Sequence, residues 1–143
     1  MADAVTSQLI ENGPRWWAYS FTNESDGTGE SGVVKVDGSS SGPLGVTIGG
    51  VVLYPGAHIK IVEVEYDVKG MGLEIIWDAT TPQNALVLSG YNRISYHKIG
   101  GLAAASAGTI ITGATGKIKF TTVGAAAASG YTVYMRGTKG IQQ

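Results

Sequence analysis

Apolar and polar residues alternate along most of this chain with the two-residue period that is typical of β-strands. The clearest case is the segment 15–22, in which Trp17, Tyr19 and Phe21 share one side. Similar short runs, rich in β-branched and aromatic residues, recur between clusters of Gly, Pro, Asn and Asp. This pattern predicts an all-β protein with about eight to ten strands and no helix of ordinary length. The predicted strands are Arg15–Thr22, Val33–Asp37, Val46–Leu53, His58–Lys69, Leu73–Asp78, Ala85–Leu88, Arg93–His97, Lys117–Thr121 and Tyr131–Arg136.

The longest apolar run contains two irregular points. In the segment 58–69 the apolar side switches between Ile61 and Val62, which predicts a β-bulge there. The Gly-Met-Gly sequence at 70–72 then predicts a tight turn. The segments 58–69 and 73–78 are therefore expected to form a hairpin.

Two further connections shape the predicted topology. The Gly-Gly pair at 49–50 lies within the apolar segment 46–53, where it predicts a bulge or a bend in one strand. Near the C-terminus, the segments 117–121 and 131–136 both alternate cleanly, and the connection 124–130 between them carries four alanines. We expect these two segments to form a closing hairpin with a long loop.

Short connections favour antiparallel pairing, and the alternation indicates that each sheet buries one face. We therefore predict a two-sheet antiparallel β-sandwich with a jelly-roll-like topology. Residues 1–14 have weak periodicity and end in Asn-Gly-Pro, so they are predicted to form an extended N-terminal arm or an edge strand. Residues 15–143 are predicted to form a single β-sandwich domain, since the chain length is close to the commonest domain size.

Composition narrows the classes of function. The 143-residue chain has no cysteine, which excludes disulfides and thiolate chemistry. Its net charge is -1 and only 15% of its residues are charged, so it lacks the clustered Lys and Arg that nucleic-acid binding requires. No signal peptide is recognisable, and no stretch reaches the roughly 18 apolar residues of a membrane span. We expect no nucleic-acid or membrane partner, and synthesis in the cytoplasm.

Several patterns resemble sites of chemistry, and each has a simpler structural interpretation. The segment 27–32 has the G-x-G-x-x-G spacing, but a strand follows it instead of a helix, so we interpret it as a hairpin loop. His58 and His97 are far apart in sequence and unsuited to a shared metal. The oxygen-bearing residues between 23 and 30 lack the order of a calcium loop.

A group of carboxylates on the predicted hairpin could serve acid–base chemistry if two of them faced a cleft. Its members are Glu63, Glu65, Asp67 and Glu74. Alternation favours a solvated or partner-facing side of a strand, with neighbouring lysines as partners. No catalytic, cofactor-binding or metal-binding residue is predicted, and we expect no enzymatic activity.

The adjacent residues Trp16 and Trp17 must point to opposite sides of a strand. One of them therefore faces outward or lies under the N-terminal arm, where it is a candidate anchor for a glycan or a protein. The residues predicted to contact a partner protein are Trp16, Gly13, Pro14, Leu102 and Ile111.

The second half of the chain carries motifs that resemble small structural proteins of tailed phages. In order, these are a strand ending in Trp-Asp-Ala-Thr at 77–80, a Gly-Gly-Leu loop at 100–102, a Thr-Gly-Lys-Ile strand at 115–118 and a terminal Tyr-Thr-Val-Tyr strand from 131. The chain is most similar to the jelly-roll cement proteins that clamp the outside of capsids. The similarity covers residues 60–137.

The resemblance implies a capsid decoration protein, located on the virion exterior after assembly in the host cytoplasm. Its implied partner is the major capsid protein, and self-association as a dimer or trimer would turn many weak contacts into avidity. The implied contact elements are the arm 2–14 and the loops 100–113 and 124–130.

Two other readings remain open at this point. A glycan- or receptor-binding module of a phage tail or fibre would also be a β-sandwich with exposed aromatic residues. A glycan hydrolase would require two carboxylates that face a cleft.

Overall fold

The structure is a computed structural model that describes residues 3–106 and 109–139. These residues form an all-β protein without α-helices, which confirms the predicted fold class. Two single-turn 3₁₀ helices, at Gly56–His58 and His97–Ile99, are the helical elements of this part of the chain. The strands are β1 (Ala4–Asn12), β2 (Trp16–Asp26), β3 (Val33–Asp37), β4 (Val46–Ile48), β5 (Val51–Leu53), β6 (Lys60–Trp77), β7 (Gln83–Ser95), β8 (Leu102–Ala103), β9 (Ala105–Ser106), β10 (Thr109–Ile110), β11 (Lys117–Val123) and β12 (Ala127–Thr138).

A bent hairpin of two long strands organises the fold. Strand β6 has 18 residues and pairs antiparallel with the 13-residue β7, with an irregular stretch between Val68 and Leu73 of β6. Gly70 and Gly90 have positive φ angles of 72° and 75° at this stretch, a conformation that glycine adopts without strain. Both strands bend here without ending.

Two sequence predictions are wrong at this bend. The glycines at 70–72 do not make a hairpin turn between the segments 58–69 and 73–78, because both segments belong to β6. Likewise, the segments 85–88 and 93–97 are not separate strands, since one strand, β7, runs from 83 to 95. A single glycine with positive φ is enough for a β-bulge, and the strand continues beyond the bulge because its pairing with the neighbouring strand resumes there.

The bend allows each half of β6 to pair with a different strand. Strand β12 pairs with the first half of β6, through Thr138↔Lys60 to Gly130↔Lys69, and β11 pairs with the second half. Strands β2 and β3 then pair with β12 and β11 respectively, and β1 forms an edge beside β2. The expected closing hairpin of 117–121 with 131–136 is therefore wrong: β11 and β12 follow one another along the same edge of β6.

The resulting assembly is one continuous antiparallel sheet that folds over and is nearly closed into a barrel. The predicted antiparallel all-β architecture is confirmed, whereas the separate two sheets of a jelly-roll sandwich are not. The sequence could not distinguish the two arrangements, because both bury one face of every strand.

The core lies inside the folded sheet. Phe120 on β11 contacts Phe21 on β2 and Tyr131 on β12 in edge-to-face geometry, with ring centroids 5.1 Å and 5.8 Å apart, which joins the two halves. Val62 is the extra residue of a bulge, since Glu63 pairs with Arg136 and Ile61 with Gly137, as the switch in the apolar side predicted. The largest fully buried side chains are Trp17, Trp77, Phe21, Phe120, Leu44, Ile59, Ile61, Leu73, Ile75, Leu88, Ile118 and Met135.

Because β6 bends in its middle, both of its ends lie away from the bend. The connections 27–32 and 124–126 lie at the bend, which we call the bend end. The segments 13–15, 38–59, 78–82, 96–106 and 109–116 lie at the opposite side, which we call the open end. Backbone hydrogen bonds from Gly56 to Gly38 (2.8 Å), from Gly38 to Gly116 (2.9 Å) and from Thr80 to Thr112 (3.2 Å) tie these segments together.

A small separate hairpin, β4–β5, belongs to the open end. Gly49 and Gly50 form its two-residue turn, with φ angles of 60° and 80°. Two successive positive φ angles are what a type I′ hairpin turn requires. The prediction of one bulged strand over 46–53 is therefore wrong, and the Gly-Gly pair between two β-branched runs was the signal for a hairpin.

The packing of β12 against β2 depends on the lack of a side chain at Gly137. A Cβ atom at this position would lie 1.9 Å from the Lys60 carbonyl oxygen and 2.4 Å from the Trp17 ring. We expect Gly137→Ala to lower the free energy of unfolding by about 3 kcal/mol, in the upper part of the overpacking range. Urea denaturation followed by tryptophan fluorescence measures the change. Gly72→Ala, where the nearest atom would be 3.8 Å away, is the matched control and should stay close to wild type; equal stability of the two variants would contradict the expectation.

Candidate protein-contact site

Trp16, the first residue of β2, lies at the open end and is half-buried, whereas Trp17 is fully buried in the core. The two rings therefore point to opposite sides of the strand, as predicted. Trp16 borders a cleft of about 300 Å³, which we call the Trp16 cleft. Its lining residues are Arg15, Trp16, Val62, His97, Gly100 and Thr138.

The Trp16 ring is held in place by a charged neighbour. The Arg136 guanidinium lies 4.0 Å from the ring centroid, in cation–π geometry. Its Nε also lies 3.2 Å from Glu11 Oε1 at the end of β1. The ring is thus fixed from one side, and the edge that borders the cleft remains available to a ligand.

The other predicted contact residues also lie at the open end, but they differ in exposure. Pro14 is exposed in the β1–β2 turn, while Gly13 is half-buried and donates its N–H to the Trp16 carbonyl (3.0 Å). Leu102 pairs with Ile61 of β6 and packs against the core. Ile111 also packs against the core, so that Leu102 and Ile111 serve the fold as well as any surface.

The sequence analysis missed a second apolar surface at the open end. Ile48 and Val51 are cross-strand partners on one face of the β4–β5 hairpin and are 46% and 58% exposed, and we call these two residues the hairpin tip. Val52, on the opposite face, is 49% exposed. Clustered apolar side chains of this kind mark interaction surfaces more often than single exposed ones do. Their signal in the sequence was the Gly-Gly turn, which places both β-branched runs on one protruding hairpin.

The N-terminal segment is a β-strand and not a free arm over its described part. Strand β1 pairs with β2 from Ala4↔Glu24 to Asn12↔Trp17, and almost all of its residues are exposed. Asn12 Nδ2 donates to the Pro43 carbonyl (3.0 Å) at its C-terminal end. Ala2, which the implied contact arm includes, lies outside the described residues, as do 107–108 of the implied loop 100–113.

The end of β2 and Gly29 of the G-x-G-x-x-G segment together bind the carboxylate of Asp3. One oxygen of its carboxylate, Oδ1, accepts hydrogen bonds from the backbone N–H groups of Asp26 (3.2 Å) and Gly29 (3.1 Å) and from Ser25 Oγ (3.1 Å). The other, Oδ2, accepts from Asn23 Nδ2 (3.0 Å). Oriented backbone N–H groups of this kind form an anion-binding nest. These four hydrogen bonds therefore fasten the start of β1.

The acidic side chains of β6 do not converge. Glu63, Glu65 and Asp67 lie on the outer face of the first half of β6, where Glu63 is 3.0 Å from Arg93, and Glu74 lies beyond the bend. The expected proximity of Glu74 to the other three is wrong, because the hairpin that would bring them together does not exist.

The described residues contain neither a metal-binding cluster nor a membrane-spanning helix. No group of three or more His, Asp or Glu side chains among them is placed to hold a metal ion. None of the helices in this part of the chain is long and apolar enough to cross a membrane.

No protein-family model matches the chain, and no curated protein matches it significantly.

The fastening of β1 by Asp3 depends on the charge of its carboxylate. Limited desolvation raises the pKa of Asp3, but the hydrogen bonds from Asn23, Gly29, Asp26 and Ser25 together outweigh it and hold the pKa below its usual 3.8. A carboxyl with a lowered folded-state pKa stabilises the fold above its unfolded pKa, and this contribution is lost as the pH falls through the folded value. The fastening should therefore persist at pH 5 and weaken below about pH 3.8.

Amide hydrogen-exchange protection of β1, measured at pH 7, 5 and 3, checks this expectation. We expect Asp3→Asn to reduce protection of β1 already at pH 7, and Asp67→Asn, on the outer face of β6, to leave it unchanged. Equal protection of β1 in wild type and Asp3→Asn at pH 7 would show that the carboxylate does not hold the strand.

Proposed function

We propose that this protein is a viral structural protein that binds the outer surface of a tailed-phage capsid and stabilises it, as a decoration or cement protein. The observation that supports this most is the open end, where the hairpin tip presents exposed apolar side chains and the half-buried Trp16 borders a cleft, on segments joined by backbone hydrogen bonds. A few well-packed residues, Trp and Arg among them, contribute most of the free energy of protein association, and exposed apolar patches mark the surfaces where proteins associate. The major capsid protein is the proposed partner, and the virion exterior the proposed location.

The proposal includes a jelly-roll-like sandwich, whose two layers are the two halves of the folded sheet. Such a protein needs stiff strands that hold loops in fixed positions against neighbouring shell subunits. Self-association as a dimer or trimer would place several open ends on the shell at once, so that weak single contacts add up to stable attachment. The low content of charge is compatible with a protein that remains attached to a larger body.

The hairpin tip tests this proposal. We expect Ile48→Glu/Val51→Glu to reduce binding to shells that lack the protein by at least tenfold, because a charged side chain buried at an interface costs more than the roughly 1.4 kcal/mol of a tenfold change. Co-sedimentation with purified shells measures the binding, and shell melting temperature measures the stabilisation.

Val123→Glu is the matched control, since Val123 is 52% exposed on β11 next to the bend end. It should bind shells as wild type does. If wild-type protein neither sediments with nor stabilises such shells, the decoration function is wrong; if both variants bind normally, the shell contacts another surface.

The Trp16 cleft favours a second candidate, a glycan- or receptor-binding module of a phage tail or fibre. An indole beside Arg15 and His97 offers a stacking surface and polar groups to a sugar ring. Under this reading a glycan array gives saturable binding that Trp16→Ala abolishes, whereas Ile48→Glu/Val51→Glu leaves it intact. An array without saturable signals would remove this candidate.

A further inference from the structure

A buried polar cluster at the bend end contains a lysine, a glutamate and an asparagine in one hydrogen-bonded chain. Lys35 Nζ lies 2.6 Å from Glu30 Oε2, and these two side chains are only 3% and 6% exposed. Asn23 Nδ2 donates to the other oxygen, Glu30 Oε1, over 2.9 Å, and Asn23 is 4% exposed. One carboxylate thus holds an amine and a carboxamide from two different strands.

A β-bulge in β3 places the Lys35 side chain inside the protein. Lys35 is the extra residue of a β-bulge in β3, since Val36 pairs with Ile118 and Val34 with Lys119. The bulge directs its side chain inward, where its Nζ lies 5.9 Å from the centroid of the Phe120 ring. Bulges often re-aim a side chain next to a reactive site.

Asn23 shows a second unusual feature. Its Oδ1 is the one buried side-chain polar atom within the described residues that has no hydrogen-bond partner. Its Nδ2, in contrast, is held by two carboxylates, those of Asp3 and Glu30. A buried polar atom without a partner calls for an explanation, and a chemical role is one of them.

We propose that Lys35 and Asn23 react to form an intramolecular isopeptide bond, with Glu30 transferring the protons. Glu30 takes a proton from the Lys35 ammonium, which leaves a neutral amine and a neutral carboxylic acid. The Nζ lone pair attacks Asn23 Cγ, so that the Nζ–Cγ bond forms and negative charge collects on Oδ1. Neutral amines are the nucleophilic form of lysine, and water-excluded surroundings favour neutral groups.

The tetrahedral intermediate then loses ammonia. Glu30 donates its proton to Nδ2 and takes one from Nζ, the Cγ–Nδ2 bond breaks, and Oδ1 returns to a carbonyl oxygen. The products are an amide between Lys35 and Asn23, one molecule of ammonia and a protonated Glu30, so that atoms and charge balance without a further reactant. Clefts of about 230 Å³ and 400 Å³ that border Asn23 connect it to solvent for the departure of ammonia.

Tyr131 completes the arrangement as a positioning residue. Its hydroxyl donates to Glu30 Oε1. Burial and the neighbouring Glu30 carboxylate raise the pKa of Tyr131, so that the hydroxyl stays protonated and keeps Glu30 oriented between the two reacting groups. The bond would close the segment 23–35 into a ring at the bend end and so join β2 covalently to β3.

Mass spectrometry of the purified wild-type chain tests the proposal. The intact mass should be lower than the sequence mass by one ammonia molecule. Lys35 should resist trypsin, so that the digest yields the fragment 16–60, also lighter by one ammonia, in place of 16–35 and 36–60. An unchanged intact mass after prolonged incubation of the folded protein would overturn the proposal. So would the loss of ammonia with normal cleavage after Lys35, because the ammonia then comes from another reaction, such as succinimide formation at an asparagine.

Two variants assign the roles. Lys35→Arg keeps the charge but removes the amine, and Glu30→Gln keeps the shape but removes the proton carrier; both should have the full sequence mass. Lys69→Arg, at an exposed lysine, is the control and should show the same loss of ammonia as wild type. A Glu30→Gln protein that still lacks one ammonia and still resists cleavage at Lys35 would overturn the role of Glu30. The intact mass and the tryptic digest of the wild-type chain decide the proposal even if a variant fails to fold.

Discussion

The bend shared by β6 and β7 is the constraint on which the rest of the structure depends. A flat sheet with one apolar face would leave that face in water. Most proteins cover it with a second layer or close the sheet into a barrel. Here the two strands bend at Gly70 and Gly90, so that the sheet covers its own apolar face. The ring contacts of Phe21, Phe120 and Tyr131 exist only because the bend brings β2 and β12 opposite β11.

The bend also explains the position of the buried charges. The connection 27–32 crosses from β2 to β3 over the fold line, and side chains hold its largely exposed backbone: Asp3 accepts from the Gly29 N–H, and Thr122 Oγ1 accepts from the Glu30 N–H. Beneath it, Glu30 pairs with Lys35, and Asn23 links Glu30 to Asp3, in a network with Tyr131. Removing one member of a buried ion pair costs about 3–5 kcal/mol because the other charge remains uncompensated. The bend end is therefore the rigid part of the molecule, irrespective of whether Lys35 and Asn23 become covalently joined.

The opposite end has a different physical character. Its segments are joined mainly by backbone hydrogen bonds, and it carries the exposed hairpin tip and the half-buried Trp16, which lines a cleft. A division between a tightly bonded end and an end with exposed apolar groups suits a protein that meets a partner with one surface only. This division agrees with the proposed attachment of the open end to a shell. Under the second candidate function, a glycan would bind at the same end, in the Trp16 cleft.

The alternation of residues determined the fold class, the inward residues of most strands and the bulge at Val62, because side-chain direction in a strand follows directly from its two-residue period. It also determined that Trp16 and Trp17 point apart. It did not determine which strands pair with one another. The sequence around Gly70 is compatible with a hairpin turn and with a bend inside one strand. Only the pairing of β11 and β12 with the two halves of β6 shows that it is a bend. The same holds for the cluster of Asp3, Asn23, Glu30 and Lys35, whose members come from the residue before β1, from β2, from the 27–32 connection and from β3. Their proximity arises when the sheet folds over, since no local pattern in the chain relates the bulge at Lys35 to the amide of Asn23.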